Sequence, residues 1–403
     1  MLKRIPTEDL RAGMHVHELC GAWIDHPFWR EDFVLRDPGD IRLILDSGIT
    51  EVVIDSAQGL DVADAQGVHT PDAAVVATSV AERMHGPPRH VPMAEELVYA
   101  AKICARAKTA VESMFHEVRM GKAVDASATD LVEDISSSVL RNPGALISLA
   151  RLKSADDYTY MHSVAVCALM VSLGHQLGLD EDATREAGMA GLLHDLGKAL
   201  TPHDILNKPG KLTAAEFAVM KRHPEEGHRL LVEGKSVGGV ALDVCLHHHE
   251  KIDGSGYPVS LKEGAISLAV KMSTVCDVYD AITSNRPYKA GWDPAESIRM
   301  MTTWRPHHFD EHVFQAFVKS VGIYPVGSLL RLSSGRLAVV TEQAGKSLVT
   351  PIVKVFFSTK SQSYIPPEIV DLSRPGCPEK IAGREDAAKW GIKELDRYWA
   401  HLQ

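Results

Sequence analysis

A histidine–aspartate pair lies inside an apolar run of the chain, Leu192-Leu193-His194-Asp195-Leu196-Gly197-Lys198. Imidazole nitrogens and carboxylate oxygens bind borderline and hard metal ions, and one carboxylate has two oxygens with which to bridge two ions. The dipeptide alone is weak evidence, because it occurs by chance in many proteins. Further side chains that can bind metals flank it along the chain: His162, His223, His248, His249, Glu250 and Asp277. We interpret this set as a binuclear metal centre that hydrolyses a phosphodiester.

The composition is that of a soluble globular protein with two or three domains. The chain has 403 residues, of which 45% are apolar and 24% charged, and its formal net charge is −10. The negative charge argues against a nucleic-acid partner, because nucleic-acid binding draws most of its affinity from Lys and Arg that neutralise phosphates. A small anionic substrate is compatible with it, since metal ions in a cleft supply positive charge locally.

Three features of the sequence favour a cytoplasmic location. No apolar stretch follows the basic residues near Met1, so we expect no secretory signal. No run reaches the roughly 20 apolar residues that a membrane span requires. The six cysteines are scattered without a Cys-x-x-Cys pair, which is typical of reduced thiols.

Composition and periodicity divide the chain into four regions. Residues 1–60 predict a small β-rich domain, and residues 61–91, rich in Ala, Asp, Gly and Pro, predict a linker. Residues 92–322 predict an all-α domain, and residues 323–403 predict strands and a final helix, Glu385–Leu402, packed on it. The predicted fold class is therefore multidomain, with a helical catalytic domain flanked by an N-terminal β-rich domain and a short C-terminal β/α segment.

The helical periodicity places every candidate metal ligand in or beside a helix. Three of the predicted helices are Tyr158–Leu177 with His162, Glu186–Lys198 with the His-Asp pair, and Ile266–Thr283 with Asp277. Another begins at the Thr213–Glu216 capping box and runs towards His223, and a further one, Val237–His249, ends with His248 and His249. A longer helix is predicted over Ala94–Met120, and it could be a connector or a homodimer contact. Its lack of a sustained heptad seam favours packing onto its own domain.

Several separated blocks of the sequence, in one order, resemble the HD-GYP family, a bacterial branch of the HD-domain metal-dependent phosphohydrolases. The blocks are His194–Lys198, Lys208–Thr213, His248–Pro258 (HHEKIDGSGYP) and Asp277–Lys289. The similarity covers roughly residues 155–320, and residues 1–60 look like a small domain found ahead of some HD-GYP modules. The resemblance implies an HD-type helical fold that hydrolyses cyclic di-GMP to linear pGpG, with GMP as the product of a second cut.

The family's metal ligands can be transferred to this sequence position by position. The resemblance implies one metal held by His162, His194, Asp195 and Asp277, and another held by His223, His248 and His249, with Asp195 bridging the two. Some family members place a glutamate for a third metal one turn before the first histidine, and here that position is Tyr158. We therefore expect two divalent ions. The family favours iron or manganese, which mixed His and carboxylate ligation suits.

The resemblance also implies residues that act on the substrate. A hydroxide that bridges the metals is the expected nucleophile. Lys198 could orient phosphate charge or assist the leaving oxygen. The alternative interpretation is that Lys198 is a solvated residue whose charge complements the dipole at a helix end. Arg286 and Lys289 match family positions that bind substrate phosphates. The alternative interpretation is that they are solvated surface residues. Tyr257 lies in a Gly-rich loop and is suited to lining the mouth of the pocket.

Two other functions stay open at the level of sequence. The first is a receptor that binds cyclic di-GMP without hydrolysing it, which loss of metal ligands would favour, and none is lost. The second is a phosphodiesterase for another cyclic dinucleotide. The sequence has no clear base-reading element, so the preference for guanine comes from the resemblance alone.

Overall fold

The structure is a computed structural model that describes residues 2–20, 33–35, 41, 44–45, 50–60, 91–120, 122, 127–152, 158–235, 237–285, 291–344 and 347–400. Apart from Val91, the linker predicted at 61–91 lies outside these residues. The chain forms two compact units, Met1–Pro87 and Pro88–Gln403. No helix in the described part of the chain is long and apolar enough to cross a bilayer.

The first unit contains a four-stranded sheet in the order β1-β4-β2-β3, with antiparallel neighbours. Its strands are β1 (Leu2–Pro6), β2 (His15–Cys20), β3 (Phe33–Val34) and β4 (Glu51–Asp55). Alternate residues of β4, Val52 and Ile54, are fully buried and pack with Val16 and Leu35. A period of two therefore gives this sheet one apolar face, as expected for a small antiparallel sheet.

The second unit begins with twelve helices among the described residues. They are α1 (Met93–Arg119), α2 (Ser127–Arg141), α3 (Pro143–Arg151), α4 (Tyr158–Gln176), α5 (Glu181–Leu193), α6 (His203–Leu206), α7 (Ala214–Met220), α8 (His223–Gly234), α9 (Gly239–His247), α10 (Leu268–Thr283), α11 (Pro294–His308) and α12 (Glu311–Val321). Helix α4 is central, because residues 161–174 are buried on every face of it. Such a helix must be surrounded by others, and α1, α3, α5, α10 and α12 pack against it.

The long helix α1 packs within its own unit, as the lack of a heptad seam predicted. Its residues Ala100, Ala107 and Val111 are fully buried in the main core. The carboxylate of Glu96 is also buried, and Arg141 of α2 binds it with two hydrogen bonds of 2.7 and 2.8 Å. This bidentate pair joins the start of α1 to the end of α2.

A five-stranded antiparallel sheet follows the helices, in the order β8-β7-β6-β5-β9. Its strands are β5 (Leu329–Leu332), β6 (Arg336–Ala344), β7 (Ser347–Ser358), β8 (Ser363–Asp371) and β9 (Ile381–Arg384). Leu329 and Leu337 on one face belong to the helical core, whereas Leu330 and Val340 on the other face form a second core. The sheet therefore packs on the helices and is part of the second unit. A multidomain chain with a helical domain, a small N-terminal sheet and a C-terminal β-rich segment is confirmed.

The last segment of the chain differs from the sequence prediction. In place of a helix over Glu385–Leu402, the structure has two short 3-10 turns, Ala388–Trp390 and Leu395–Tyr398. Gly391 separates the turns with a φ of +67°, a left-handed conformation that a continuous helix excludes. The segment instead buries Trp399 in the helical core. Tertiary packing has overridden helix propensity here.

Candidate metal centre

Five helices bring the candidate ligands to one point in the second unit. His162 lies in α4 and Asp277 in α10, His223 is the first residue of α8, and the remaining ligands, His194, Asp195, His248 and His249, directly follow the ends of α5 and α9. The helix predicted over Glu186–Lys198 ends earlier than expected, at Leu193, and a 3-10 turn, Leu196–Leu200, follows. This change of direction places the His-Asp pair at a helix end, where its side chains can face the neighbouring helices.

Gly197 allows the 3-10 turn to lie directly against the start of α8. A Cβ on Gly197 would be 1.9 Å from the carbonyl oxygen of His223 and 2.5 Å from the backbone nitrogen of Gly227. No larger residue fits without moving the backbone. The close approach puts Oδ1 of Asp195 only 3.2 Å from Nε2 of His223.

The first ligand group surrounds Oδ2 of Asp195 and Oδ1 of Asp277. Nε2 of His162 is 3.0 Å from the Asp277 oxygen and 3.5 Å from the Asp195 oxygen. Nε2 of His194 is 3.4 Å from the same Asp195 oxygen and 4.0 Å from the same Asp277 oxygen. Donor atoms about 2.0–2.2 Å from one ion lie about 3–4 Å from each other, so these spacings suit a shared cation.

The second ligand group lies around the other oxygen of Asp195. Nε2 of His223 and Nε2 of His248 are 3.2 and 3.7 Å from Oδ1 of Asp195 and 3.2 Å from each other. Nitrogens of His223, His248 and His249 lie within 4.8 Å of one another, and Nδ1 of His249 is also 3.8 Å from Oδ2 of Asp277. Asp195 therefore presents one oxygen to each group, the arrangement that a bridging carboxylate requires.

The orientation of the rings supports a metal more strongly than their proximity does. Nδ1 of His223 donates to the carbonyl of Met220 at 2.8 Å, and Nδ1 of His248 donates to the carbonyl of Val244 at 3.1 Å. A carbonyl oxygen only accepts, so in neutral rings the Nε2 atoms carry lone pairs that face each other across 3.2 Å. A cation between them would convert this repulsion into ligation.

Two atoms at the centre also lack a hydrogen-bond partner in the described part of the chain. They are Nε2 of His194 and Oδ1 of Asp195, and both side chains are almost completely buried. Buried polar atoms are rarely unpaired in native proteins. Nδ1 of His194 donates to the Gly191 carbonyl at 2.8 Å, which again leaves Nε2 directed at the centre. The residues present therefore fit divalent metal ions.

Three of the imidazoles have the protonation state that ligation needs. Burial lowers the pKa of His194 and, together with its histidine neighbours, holds the pKa of His248 well below its usual value. Burial and the ring of His223 lower the pKa of His249 to about 3. These rings are neutral at physiological pH, and only a neutral imidazole has a nitrogen free to bind a metal.

The two carboxylates of the centre are ionised. Burial opposes the charge of Asp195, but Lys198 and His194 hold the pKa of this carboxyl well below its usual value. Burial opposes ionisation of Asp277 as well, and its hydrogen bond with His162 outweighs it, so this pKa is also well below its usual value. Two buried anions close together require cations, and Lys198 pairs with Oδ2 of Asp195.

Sequence reasoning did not assign a role to Asp280, one turn after Asp277. Its Oδ2 is 2.6 Å from Nδ1 of His162, and Ser284 donates to its other oxygen at 3.1 Å. Burial would lower the pKa of His162, but its hydrogen bonds with Asp277 and Asp280 raise it. Asp280 thus fixes the ring of His162 with Nε2 towards the centre, as carboxylates commonly do behind metal-bound histidines. The sequence did contain a signal for this role, because Asp277 and Asp280 are three residues apart on a predicted helix and so lie on the same face.

A cavity of about 300 Å³ opens onto the ligands. Its polar wall includes His162, Lys198, His249 and Asp277, and Tyr257 also lines it. Arg286 and Lys289, proposed to grip phosphates, lie outside the described residues, as does the side chain of Tyr158. Lys198 and Tyr257 are thus at the cavity, where a substrate would meet them.

The loop that carries Tyr257 folds back against the ligands. A Cβ on Gly256 would lie 2.5 Å from Cα of Glu250, so glycine is needed for this close return of the chain. The N–H of Tyr257 donates to the carbonyl of His249 at 3.3 Å. The rings of Tyr257 and His249 are stacked, with centroids 4.7 Å apart. The tyrosine is therefore held directly against a candidate ligand.

Glu250, which the sequence grouped with the metal ligands, holds this loop instead. Its side chain is buried, and its oxygens accept hydrogen bonds from three successive backbone N–H groups: Val259 at 2.7 Å, Ser260 at 2.9 Å and Leu261 at 3.0 Å. None of the ligand groups of the centre includes Glu250. The residue fixes the position of the loop, and through it that of Tyr257.

Two known protein families match successive parts of the chain, and the first match extends beyond Met1–Pro87 into the second unit, over α1. Residues 2–129 match a family described as a domain of unknown function (DUF3391). Residues 139–313 match the HD domain family, and this range contains all seven candidate ligands.

Several characterised proteins are similar to the chain. It is 55% identical to cyclic di-GMP phosphodiesterase PA4108 of Pseudomonas aeruginosa, over 100% of this chain and 96% of the relative. It is 38% identical to the cyclic di-GMP phosphodiesterase response regulator RpfG of Xanthomonas campestris, over 43% of this chain and 47% of the relative. It is 35% identical to 3'3'-cGAMP-specific phosphodiesterase 1 of Vibrio cholerae, over 39% of this chain and 36% of the relative. The first similarity spans both units.

Proposed function

The chain belongs to the HD-GYP family of metal-dependent phosphohydrolases, and from this we propose that it is a phosphodiesterase that hydrolyses cyclic di-GMP. The observation that carries the proposal is the convergence of five imidazoles and two carboxylates beside one cavity, in a chain 55% identical over its full length to a cyclic di-GMP phosphodiesterase. The product is linear pGpG, and a second cut would give GMP.

The proposed ligands divide between two divalent ions, and the family resemblance favours iron or manganese. His162, His194 and Asp277 would hold one ion, His223, His248 and His249 the other, and Asp195 would contribute to both. Two such ions would supply a deprotonated water at neutral pH and the positive charge that an in-line displacement at phosphorus needs. Asp280 and the backbone carbonyls behind the rings keep the Nε2 atoms in place.

The remaining residues bind and orient the substrate. Lys198 lines the cavity and pairs with Asp195, so its ammonium can also contact a phosphate oxygen placed beside the bridging carboxylate. Tyr257 limits the cavity on the side of His249. We retain Arg286 and Lys289 as proposed phosphate ligands on the resemblance alone, because their side chains are outside the described residues. A cytoplasmic location and a homodimer also stay predictions.

We expect the activity to depend on the metals. Protein purified under anaerobic conditions and loaded with Mn²⁺ or Fe²⁺ should convert cyclic di-GMP to pGpG, followed by liquid chromatography. Incubation with a chelator should abolish turnover, and restoring either ion should recover it, because the ligands in the centre cannot activate water without a cation. Binding of cyclic di-GMP by metal-loaded protein without any product would instead identify a receptor. Faster turnover of 3'3'-cGAMP would change the assigned substrate.

The hydrogen bond between Asp280 and His162 gives a second prediction. Asp280→Asn preserves an acceptor for Nδ1 but removes the charge, and we expect metal affinity to fall about 10- to 100-fold. Competition with a fluorescent chelator measures this affinity. Ser284→Ala is the matched control, because Ser284 contacts the oxygen of Asp280 that faces away from His162. An equal effect of the two substitutions would contradict the positioning role.

A further inference from the structure

The cavity at the metal centre has an apolar wall to which the chemistry described above gives no role. Ile205, Leu206, Leu212, Phe217 and Met220 line it, all from the segment that contains α6 and α7. Phe217 is the largest of these side chains, and 47% of its surface is exposed. Hydrolysis of a phosphodiester requires charge and ligands, so an exposed aromatic ring beside the ligands needs a different explanation.

A single lysine connects this wall with Tyr257. Lys221 follows α7 and lies four residues after Phe217, so the two side chains share one face. Its ammonium is 5.4 Å from the centroid of the Phe217 ring and 4.5 Å from the centroid of the Tyr257 ring, both within cation–π distance. Because Tyr257 stacks on His249, a continuous row of side chains runs from Phe217 to the metal centre.

The two lysines of this region differ in their charge environment. Lys208, which lines the cavity, binds both oxygens of Glu216 at 2.6 and 2.7 Å, so its charge is already neutralised. Lys221 has no ion pair with a carboxylate among the residues that the structure describes, and its contacts there are the two rings. Its positive charge is therefore available to an anion at the mouth of the cavity.

We propose that Phe217 and Lys221 form the subsite for the half of the cyclic dinucleotide that is not being cleaved. This inference rests on the proposed function. A cyclic dinucleotide has two purines and two phosphates, and only one phosphate can be at the metals at a time. The exposed ring of Phe217 stacks on a purine, as aromatic side chains do with single-stranded bases. Lys221 binds the second phosphate, held in place by the rings of Phe217 and Tyr257.

The test compares two substrates of metal-loaded protein. Cyclic di-GMP uses the subsite, whereas methyl 4-nitrophenyl phosphate is a diester with neither a purine nor a second phosphate. For Phe217→Ala we expect KM for cyclic di-GMP to rise about 5- to 100-fold, the effect of losing one base–aromatic stack. The ratio of kcat/KM for cyclic di-GMP to that for the small diester should fall by a similar factor. Phe217→Tyr, which keeps an aromatic ring, should restore it.

For Lys221→Met we expect a higher KM for cyclic di-GMP and a weaker dependence of KM on salt, since one exposed cation–phosphate contact is lost. The matched controls are Tyr99→Ala and Lys102→Met, because these residues form a similar exposed aromatic–lysine pair on α1, at 5.8 Å, and do not line the cavity. Both controls should leave the ratio of kcat/KM for cyclic di-GMP to kcat/KM for the small diester unchanged.

Three results would overturn the assignment in distinguishable ways. If Phe217→Ala behaves like the controls, the wall does not bind substrate. If both substrates lose kcat/KM equally, the wall only supports the metal centre. If the wild-type protein cleaves the small diester but not cyclic di-GMP, the proposed function fails first, and the subsite fails with it.

Discussion

Replacing Asp195 by asparagine is expected to lower kcat for cyclic di-GMP by at least about 1,000-fold. Asp195 presents one oxygen to each ligand group, at 3.2 Å from His223 and 3.4 Å from His194. An asparagine has the same shape but no charge, and its nitrogen cannot ligate a metal. The site would lose charge stabilisation of several kcal/mol in the transition state, and each tenfold in rate corresponds to about 1.4 kcal/mol. Steady-state kinetics and elemental analysis on the same preparation measure both effects.

The matched control for this substitution is Asp182→Asn. Asp182 lies in α5, the helix that precedes Asp195, and its side chain is 88% exposed. We expect the control to keep wild-type kcat and two metals per chain, whereas Asp195→Asn loses at least one metal. Circular dichroism establishes that both variants are folded. An Asp195→Asn protein that retains two metals and turns over within threefold of wild type would show that this carboxylate does not bridge them.

The seven candidate ligands could be named from the sequence because their chemistry is visible in residue type. Their division into two groups came from the family resemblance, since spacing along a chain does not specify which helices meet. The helices that carry the ligands were predictable from apolar periodicity, and α10, at Leu268–Thr283, begins within two residues of its predicted start at Ile266, but the predicted bounds of α5 were wrong at both ends. Assignment of each residue to a particular metal stays a prediction.

The features that the sequence did not reveal all depend on tertiary contacts. Asp280 is one of many acidic residues until His162, 118 positions away, is seen beside it. The final segment has helix-forming residues, yet it turns at Gly391 and buries Trp399 in the helical core. Glu250 resembled a ligand because it adjoins two histidines, and only its hydrogen bonds to the following loop identify its position. Local patterns do not encode partners at a distance.

Removing the carboxylate of Glu250 is expected to lower activity strongly, although this residue is not one of the proposed ligands. Glu250→Ala leaves three backbone N–H groups, of Val259, Ser260 and Leu261, without their acceptor. An N–H group left without an acceptor costs about 1–3 kcal/mol when it is fully buried, and these three are only partly buried, so a movement of the loop that lets water reach them is expected. Tyr257 then loses its fixed contact with His249, and a displacement of about 1 Å near a reacting group can cost about 100-fold in rate. We expect kcat/KM for cyclic di-GMP to fall about 10- to 100-fold.

Glu250→Gln separates the hydrogen bonds from simple packing. Val259 and Ser260 both donate to Oε1, and Leu261 donates to Oε2. A glutamine oxygen in the Oε1 position keeps the first two bonds, but its amide nitrogen would face the N–H of Leu261, and two donors repel. Its kcat/KM should therefore lie between those of wild type and Glu250→Ala. Metal content should stay at the wild-type value in both variants, because Glu250 holds the loop and not the ions. Loss of metal in Glu250→Gln would make this residue part of the metal centre and contradict its assignment to the loop.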